Sequence, residues 1–439
     1  MQIKISRYTL RIPAGAVTYL VNTLSGASVA LAPAELRAIE VLFDDLANDQ
    51  VITPERQGLI ELLMNSGFLV PIEVDERAAA LEKYDRSRSN HDVLSLTIAT
   101  TMECNMGCYY CFEDRLSAEK LAVPDIEGVV RFVSSRLREK GKLHVNWFGG
   151  EPLLAKDFVF EASRALIQLA ESRQAGYSAT IVTNGYHLDS FTAQELRRHG
   201  VTGVQVTFDG PKEVHDSVRR HLPGVGSYIP IATDIVQTTR ASRRVGSYDT
   251  ILNNIMSVAD VMRISVRVNI SRQNAPAIKL LVDDLVAAGL AGKLAAIDFA
   301  PLFNFKVNDP KKNYQATDKV HFGMPDFAEV EAELIEYVAA QGFSLKDWAD
   351  PSYAGCIAVS ANGFVIDSTG EVKKCDHELG VPGTAIDSLR DGAVFDADNA
   401  RRWDEFRPEL NAGCGDCVLL PVCYSHCPHK HMESSLERA

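Results

Sequence analysis

The chain lacks a long apolar run. In its 439 residues nothing approaches the roughly 18 consecutive apolar positions of a membrane span. Residues 1–17 place Lys4, Arg7, Arg11 and Pro13 where a secretion signal would be apolar throughout. A cytoplasmic protein with no membrane partner is expected. A cationic excess is missing too: 45 Lys and Arg against 58 Asp and Glu leave a formal charge of −13. With no clear basic recognition helix either, nucleic acid is not an expected partner. Nor does any cysteine remain for ordinary core packing. All nine fall into two spaced groups, Cys104, Cys108 and Cys111, then Cys356, Cys375, Cys414, Cys417, Cys423 and Cys427. An odd number at such spacings speaks against a secreted disulfide framework and for metal ligation in a reducing compartment.

What is present is globular: 46% of residues are hydrophobic, and the length allows two to four domains. Residues 1–72 read as a small α+β unit. Strand-like stretches at 3–12, 17–22 and 27–31 precede a helix after Pro33 that puts Leu36, Ile39, Leu42 and Phe43 on one face, and a second helix opened by Thr53-Pro54 and closed by Gly67. Residues 73–91 are charge-dense and read as a solvated linker helix. From 92 to 303 short apolar strands at 93–100, 143–148, 179–183, 203–208, 264–269 and 295–301 alternate with amphipathic helices. That pattern implies an α/β fold, a partial (β/α)6 barrel of TIM type with a parallel sheet. Chemistry in such folds sits on loops after the strands' C-terminal ends, and the first cysteine group directly follows the first strand. Residues 304–350 bridge to a cysteine-rich domain at 351–439. Gly226-Ser227-Tyr228 recurs as Gly246-Ser247-Tyr248 around Arg240, Arg243 and Arg244, either a chance echo or a basic flap.

Three thiolates from one short loop leave an iron-sulfur cluster with an open coordination position. Cys104-Asn-Met-Gly-Cys108-Tyr-Tyr-Cys111 followed by Trp147-Phe148-Gly149-Gly150-Glu151-Pro152 resembles the two signatures of radical S-adenosylmethionine (SAM) enzymes. The resemblance implies that Cys104, Cys108 and Cys111 hold a [4Fe-4S] cluster chelated by SAM, that Gly149, Gly150 and Glu151 meet the methionyl ammonium, and that Tyr110 contacts the adenine side. Thr183-Asn184-Gly185, and Gln205 through Asp209-Gly210-Pro211 to His215-Asp216 and Arg219, are similar to segments of peptide-modifying members, which adds Thr183, Asn184, Gln205 and Arg219 as cofactor contacts. Arg267 and Asn269 share one face of a strand and either reach the ligand or, for Arg267, make a structural salt bridge. A zinc site is the alternative for the cysteines.

The tail, Cys356-x13-Gly370-x4-Cys375 then Cys414-x2-Cys417-x5-Cys423-x3-Cys427, is similar to the SPASM extension of radical SAM maturases. This implies two auxiliary [4Fe-4S] clusters, three in all: Cys356, Cys375 and Cys427 for one, and Cys414, Cys417 and Cys423 for the other. The family's last cysteine is absent, so eight ligand positions meet six cysteines. Either an iron stays open or His426, His429 or His431 ligates. Asp376 corresponds to the acid that serves as base in anaerobic sulfatase maturases, or is a surface residue. Residues 1–72 resemble the winged-helix-like element that binds leader peptides by strand addition. The implied enzyme modifies a ribosomally made precursor peptide bound through its leader, installing a thioether or carbon-carbon crosslink, with a flavodoxin, ferredoxin or reductase as electron donor. The alternatives are formylglycine formation in a folded protein and a non-catalytic iron-sulfur redox sensor.

Overall fold

All six strands read from the sequence form, and they lie in one parallel sheet. The computed structural model describes residues 2–48, 54–108, 110–111, 113, 119–221, 246–302, 320–344, 356–390, 395–424 and 426–436. Strands β1 (Ile3–Ile5), β2 (Thr9–Ala14), β3 (Val17–Asn22), β4 (Ser28–Leu31) and β5 (Leu69–Pro71) belong to the N-terminal part. They are followed by β6 (Val93–Ala99), β7 (Lys142–Phe148), β8 (Gly176–Thr183), β9 (Val201–Phe208), β10 (Arg263–Ile270) and β11 (Ala296–Pro301). A seventh parallel strand, β12 (Gly363–Ile366), comes from the cysteine-rich tail and pairs with β6 through Gly363↔Ser95 to Ile366↔Ile98. With β13 (Glu371–Lys373) and β14 (Asp387–Ser388) the sheet order is β11-β10-β9-β8-β7-β6-β12-β13-β14.

Parallel sheets covered on both sides are usually apolar on both faces. This one is not. Leu94, Leu96, Ile98, Leu143, Val145, Trp147, Ile181, Val204, Val206, Val266 and Val268 are buried together with helix residues such as Val129, Phe132, Phe158 and Leu166. Residues of opposite parity, matched across the register, are polar: Thr97, Asn146 and Thr180, then Gln205 and Ser265, then Thr207, Arg267 and Asp298. One face holds the helices, and the other is built to meet something polar.

The chain divides into two compact units, residues 1–90 with 347–361 and 401–439, and residues 91–346 with 362–400. The sequence boundaries differ, since part of the tail belongs with the parallel sheet and part with the N-terminus. In the first unit β2, β3 and β4 form an antiparallel sheet against helices Pro33–Ala47 and Gln57–Asn65, with Leu20, Leu31, Leu42, Phe43, Ile60 and Leu63 in the core. The stretch read as one strand at 3–12 is broken at Ser6, whose hydroxyl bonds the Glu76 carboxylate while the Arg7 N–H donates to Glu76 Oε2 at 3.1 Å.

The charged run is not a solvated linker. In helix Glu76–Arg88 the residues Glu76, Ala80, Tyr84 and Arg88 are all buried, a stripe at strict four-residue spacing. Its charged ends are satisfied by residues distant in sequence: Glu76 by Ser6 and Arg7, Arg88 by the carbonyls of Phe406 at 3.0 Å and Asp404. Residues 226–245, with the first copy of the echo and its arginines, lie outside the described residues; the second copy opens helix Tyr248–Val258.

Candidate active site

The first cysteine group occupies the loop after β6, and the end of β7 is pressed onto it. Gly150 N–H donates to Thr101 O and Glu151 N–H to Glu103 O, both at 2.9 Å. A Cβ on Gly149 would lie 2.3 Å from Thr101 O, and one on Gly150 2.4 Å from Glu103 O. Gly149 also has φ +113°, which a side chain disfavours. Both glycines are therefore required by the close approach of two backbones. On the far side of the loop Gly107 N–H donates to Arg220 O at 2.9 Å.

Two polar networks flank the cysteines. In the first, the Glu151 carboxylate accepts from Leu153 N–H at 3.0 Å, Thr183 Oγ1 at 2.7 Å and Asn184 N–H at 2.8 Å. This fully buried side chain ties the end of β8 to that of β7, and burial pushes its pKa up against those three donors. Asn184 Nδ2 donates to Asn105 Oδ1 at 2.7 Å and lies 3.8 Å from Cys104 Sγ, and Asn105 in turn meets His187 at 3.3 Å.

In the second, the Tyr110 hydroxyl donates to Asp209 Oδ2 at 2.5 Å and accepts from Arg219 at 2.8 Å and Asn269 Nδ2 at 3.2 Å. Arg267 donates to Asn269 Oδ1 at 3.3 Å and to Asp298 Oδ2 at 3.1 Å, so of its two sequence readings the salt bridge is present. Burial pushes the Asp209 carboxyl up while Arg219 opposes it. Although burial disfavours its charge, Arg219 is held protonated by Cys108, Tyr110 and Asp209. Buried Asp209 Oδ1 and Arg219 Nε have no hydrogen-bond partner among the described residues, and buried polar atoms without partners call for an explanation. Gln205 is half-buried on the polar face. Sequence reasoning does not single out Asp209, Asn105 and Asp298 as site residues, although Asp209 stands inside the quoted Asp-Gly-Pro segment and Asn105 inside the cysteine spacing.

The donor set fits an iron-sulfur cluster. All nine cysteines carry thiols, and burial, with Cys108, Glu151 and Cys111 beside it, pushes the Cys104 thiol well up. A bound cation reverses that penalty. Among the described residues no three His, Cys, Asp or Glu side chains close into a cage for a single ion; a cubane spreads its thiolates more widely than one ion does. Cys375 belongs to the second unit and the other tail cysteines to the first. Cys375 is buried 3.7 Å from Asp376 Oδ1, and the two lysines before it are buried and partnered, Lys373 by Glu371 at 2.9 Å and Lys374 by Gly363 O at 2.8 Å. In the first unit Leu419 N–H points to Cys417 Sγ at 3.4 Å, the N–H···S contact that tunes cluster thiolates. Tyr424 and His426 take left-handed backbone, φ 45° and 58°, which coils the chain between Cys423 and Cys427.

Comparison with known proteins agrees with this geometry. Residues 98–266 match the Radical SAM superfamily. A probable GTP 3',8-cyclase of Pyrococcus abyssi is 36% identical over 124 residues, 28% of this chain and 37% of the relative. That of Methanothermobacter thermautotrophicus is 31% identical over 156 residues, 34% and 47%. The chain thus spans less than half the length of these relatives. Among solved structures, anSMEcpe with bound AdoMet and Cp18Cys peptide is similar at 15% identity and TM-score 0.55, over 77% of this chain and 89% of that one. Streptococcus suis SuiB bound to precursor peptide SuiA is similar at 17% identity and TM-score 0.52, over 98% and 97%. Both share the fold.

Proposed function

We propose that this chain, whose residues 98–266 are a radical SAM domain, is a SPASM-type maturase that abstracts a hydrogen from a residue of a ribosomally made precursor peptide and installs a crosslink or related modification. The observation that carries the reading is the cysteine loop held between two polar networks at the end of a parallel sheet whose open face is polar. Cys104, Cys108 and Cys111 would hold the cluster that binds SAM. When bound, cluster and SAM together supply a 5'-deoxyadenosyl radical.

The chain's own residues do the rest. Glu151, Thr183 and Asn184 fix the loop ends around the cofactor. Tyr110, Asp209, Arg219, Asn269 and Arg267 form a hydrogen-bonded wall that restricts solvent and holds the reacting groups in place, so that abstraction is not overtaken by quenching. Peptide recognition falls to the N-terminal sheet, where Ile12, Tyr19 and Ala30 are matched across β2, β3 and β4, with Ile12 and Tyr19 exposed beside edges that admit an added strand. The fold likeness over 98% of the chain to a protein bound to its precursor peptide supports this over formylglycine formation, the second reading, which the likeness to anSMEcpe and the acid Asp376 after Cys375 favour. We assign two auxiliary clusters to the tail, and Asp376 as base. Cys108→Ala is expected to abolish deoxyadenosine formation, measured after anaerobic reconstitution; turnover surviving in that variant would overturn the reading.

A further inference from the structure

His215 belongs to neither polar network. Its imidazole is fully buried beside the rings of Phe208 and Tyr248, at centroid distances of 5.1 and 5.6 Å, a slot that leucine or phenylalanine would fill at no polar cost. The imidazole carries such a cost, because its Nδ1 is buried with no hydrogen-bond partner among the described residues. What sets it apart from an apolar residue is Nε2, 3.1 Å from Ser247 Oγ. The tautomer follows from the partners. Ser247 Oγ lies 2.9 Å from the carbonyl oxygen of Arg219, which can only accept, so the hydroxyl proton goes there and the serine lone pairs are left for His215. Nε2 is therefore the protonated nitrogen. Burial, joined by the Arg219 charge, keeps the imidazole neutral by pushing its pKa well below the ordinary range.

The bonds close into a cycle, since Arg219 N–H donates back to His215 O at 2.7 Å. His215, Ser247 and Arg219 are 0%, 0% and 8% exposed, so water does not compete for these bonds, and both backbone polar groups of Arg219 are fixed. Ser247 is itself held in place by Asp216, whose Oδ1 accepts from Ser247 N–H at 2.8 Å and Tyr248 N–H at 2.9 Å; a side chain on Gly246 would collide with that carboxylate. The residues beyond the cycle grip the cysteine loop. Arg219 donates to the Tyr110 hydroxyl at 2.8 Å, Arg220 O accepts from Gly107 N–H at 2.9 Å, and His221 forms a backbone bridge with Met106. These contacts fall on both sides of Cys108. We infer that His215 and Ser247 are positioning residues, whose hydrogen-bond cycle fixes the main chain of Arg219 to His221 and through it the shape of the loop carrying Cys104, Cys108 and Cys111, and so the affinity for SAM. The last step rests on the reading of that loop as the SAM-cluster site.

The test uses the full chain, anaerobically reconstituted. Ser247→Ala opens the cycle with a small change of volume, His215→Leu removes the donor, and His215→Gln returns an N–H donor in place of Nε2. Tyr248→Phe is the control, since it loses only the bond of its hydroxyl to Asp284 at 2.7 Å and leaves the cycle whole. Two quantities are read: hydrogen exchange of residues 104–111, which needs no SAM, and SAM binding followed by the change in the electron paramagnetic resonance spectrum of the reduced cluster. Ser247→Ala and His215→Leu are expected to speed exchange of the Gly107 amide about 5-fold or more and to weaken SAM binding about 5-fold or more, the equivalent of about 1 kcal/mol. His215→Gln should recover most of both, and Tyr248→Phe should lower the unfolding midpoint while moving neither. Ser247→Ala decides the matter alone if His215→Leu does not fold. Unchanged exchange or unchanged SAM affinity in the opened cycle would overturn the inference, as would Tyr248→Phe reproducing both effects, which would make the cycle a general stability tie. A wild type that binds no SAM would overturn the reading of the site instead, while the exchange measurement would still decide whether the cycle shapes the loop.

Discussion

The contact between the end of β7 and the cysteine loop makes a quantitative prediction for Gly149→Ala. The added Cβ would sit 2.3 Å from Thr101 O, where ordinary contact begins at 3.4 Å, so one backbone must retreat by about 1.1 Å or the peptide must rotate. Two costs add. A side chain at positive φ costs about 1–2 kcal/mol, and forcing atoms into a filled space costs about 1–3 kcal/mol, giving about 2–5 kcal/mol together. Gly292→Ala is the control for a side chain at positive φ without a clash, because Gly292 has φ +74° and nothing within 4 Å of the point its methyl would occupy; φ +113° at Gly149 lies farther outside the left-handed region, so its backbone cost is at least as large. Chemical unfolding of both variants is therefore expected to show Gly149→Ala less stable than Gly292→Ala by about 1–3 kcal/mol. SAM affinity of the reconstituted enzyme should fall about 10-fold or more in Gly149→Ala alone, given about 1.4 kcal/mol per tenfold. Equal unfolding midpoints and equal SAM affinities in the two variants would refute the reasoning, since the loop would then tolerate displacement without consequence.

Three further outcomes follow from the geometry. Asp209→Asn strands Arg219, whose side chain is only 9% exposed, as an unpaired buried cation, and is expected to lower stability by about 3–5 kcal/mol by chemical unfolding, with Arg219→Gln in the same chain recovering part of the loss. Asp189 caps helix Ser190–Arg198 through Thr192 N–H at 2.7 Å, a bond that lowers its pKa. Asp189→Ala should cost about 1 kcal/mol above the ordinary carboxylate range and progressively less as pH falls through the depressed pKa, because a group with a lowered folded pKa stabilises only while ionised; a loss independent of pH from about 7 to about 2 would contradict the cap. Tyr19→Glu on the exposed face of β3 should weaken precursor-peptide binding at least about 10-fold by titration calorimetry while leaving stability within about 0.5 kcal/mol; unchanged binding would move the peptide elsewhere.

The parallel sheet is legible because its signal is local. Each of the six strands is a short apolar alternation, and the observed bounds differ from those read by at most three residues, as in β8, which begins at Gly176 rather than 179. The cysteine and glycine positions are legible for the same reason, since both depend on spacing within one loop. What escapes depends on partners far along the chain. β12 is four residues long and becomes a strand because β6 offers it an edge. The helix Glu76–Arg88 reads as solvated because its buried stripe begins with Glu and ends with Arg, and only Ser6, Arg7, Asp404 and Phe406 reveal that those charges are satisfied. Glu151 reads as a ligand group; Leu153 N–H is its local helix-cap bond, and the other two donors, Thr183 and Asn184, come from residues that no local pattern joins to it.

The pairing of β12 with β6 also has a temporal side. β6 is the first parallel strand to leave the ribosome, yet one of its edges stays open until residues 363–366 follow. At about 5–20 residues per second that interval is on the order of ten seconds or more. Throughout it that edge of β6 is unpaired, and after residue 301 a sheet of six strands presents it, the arrangement from which edge-to-edge aggregation begins. The N-terminal unit waits longer, since its partners at 401–439 are made last. Synthesis rate and chaperone supply, rather than final stability, are thus what would govern the yield of folded protein in a foreign host.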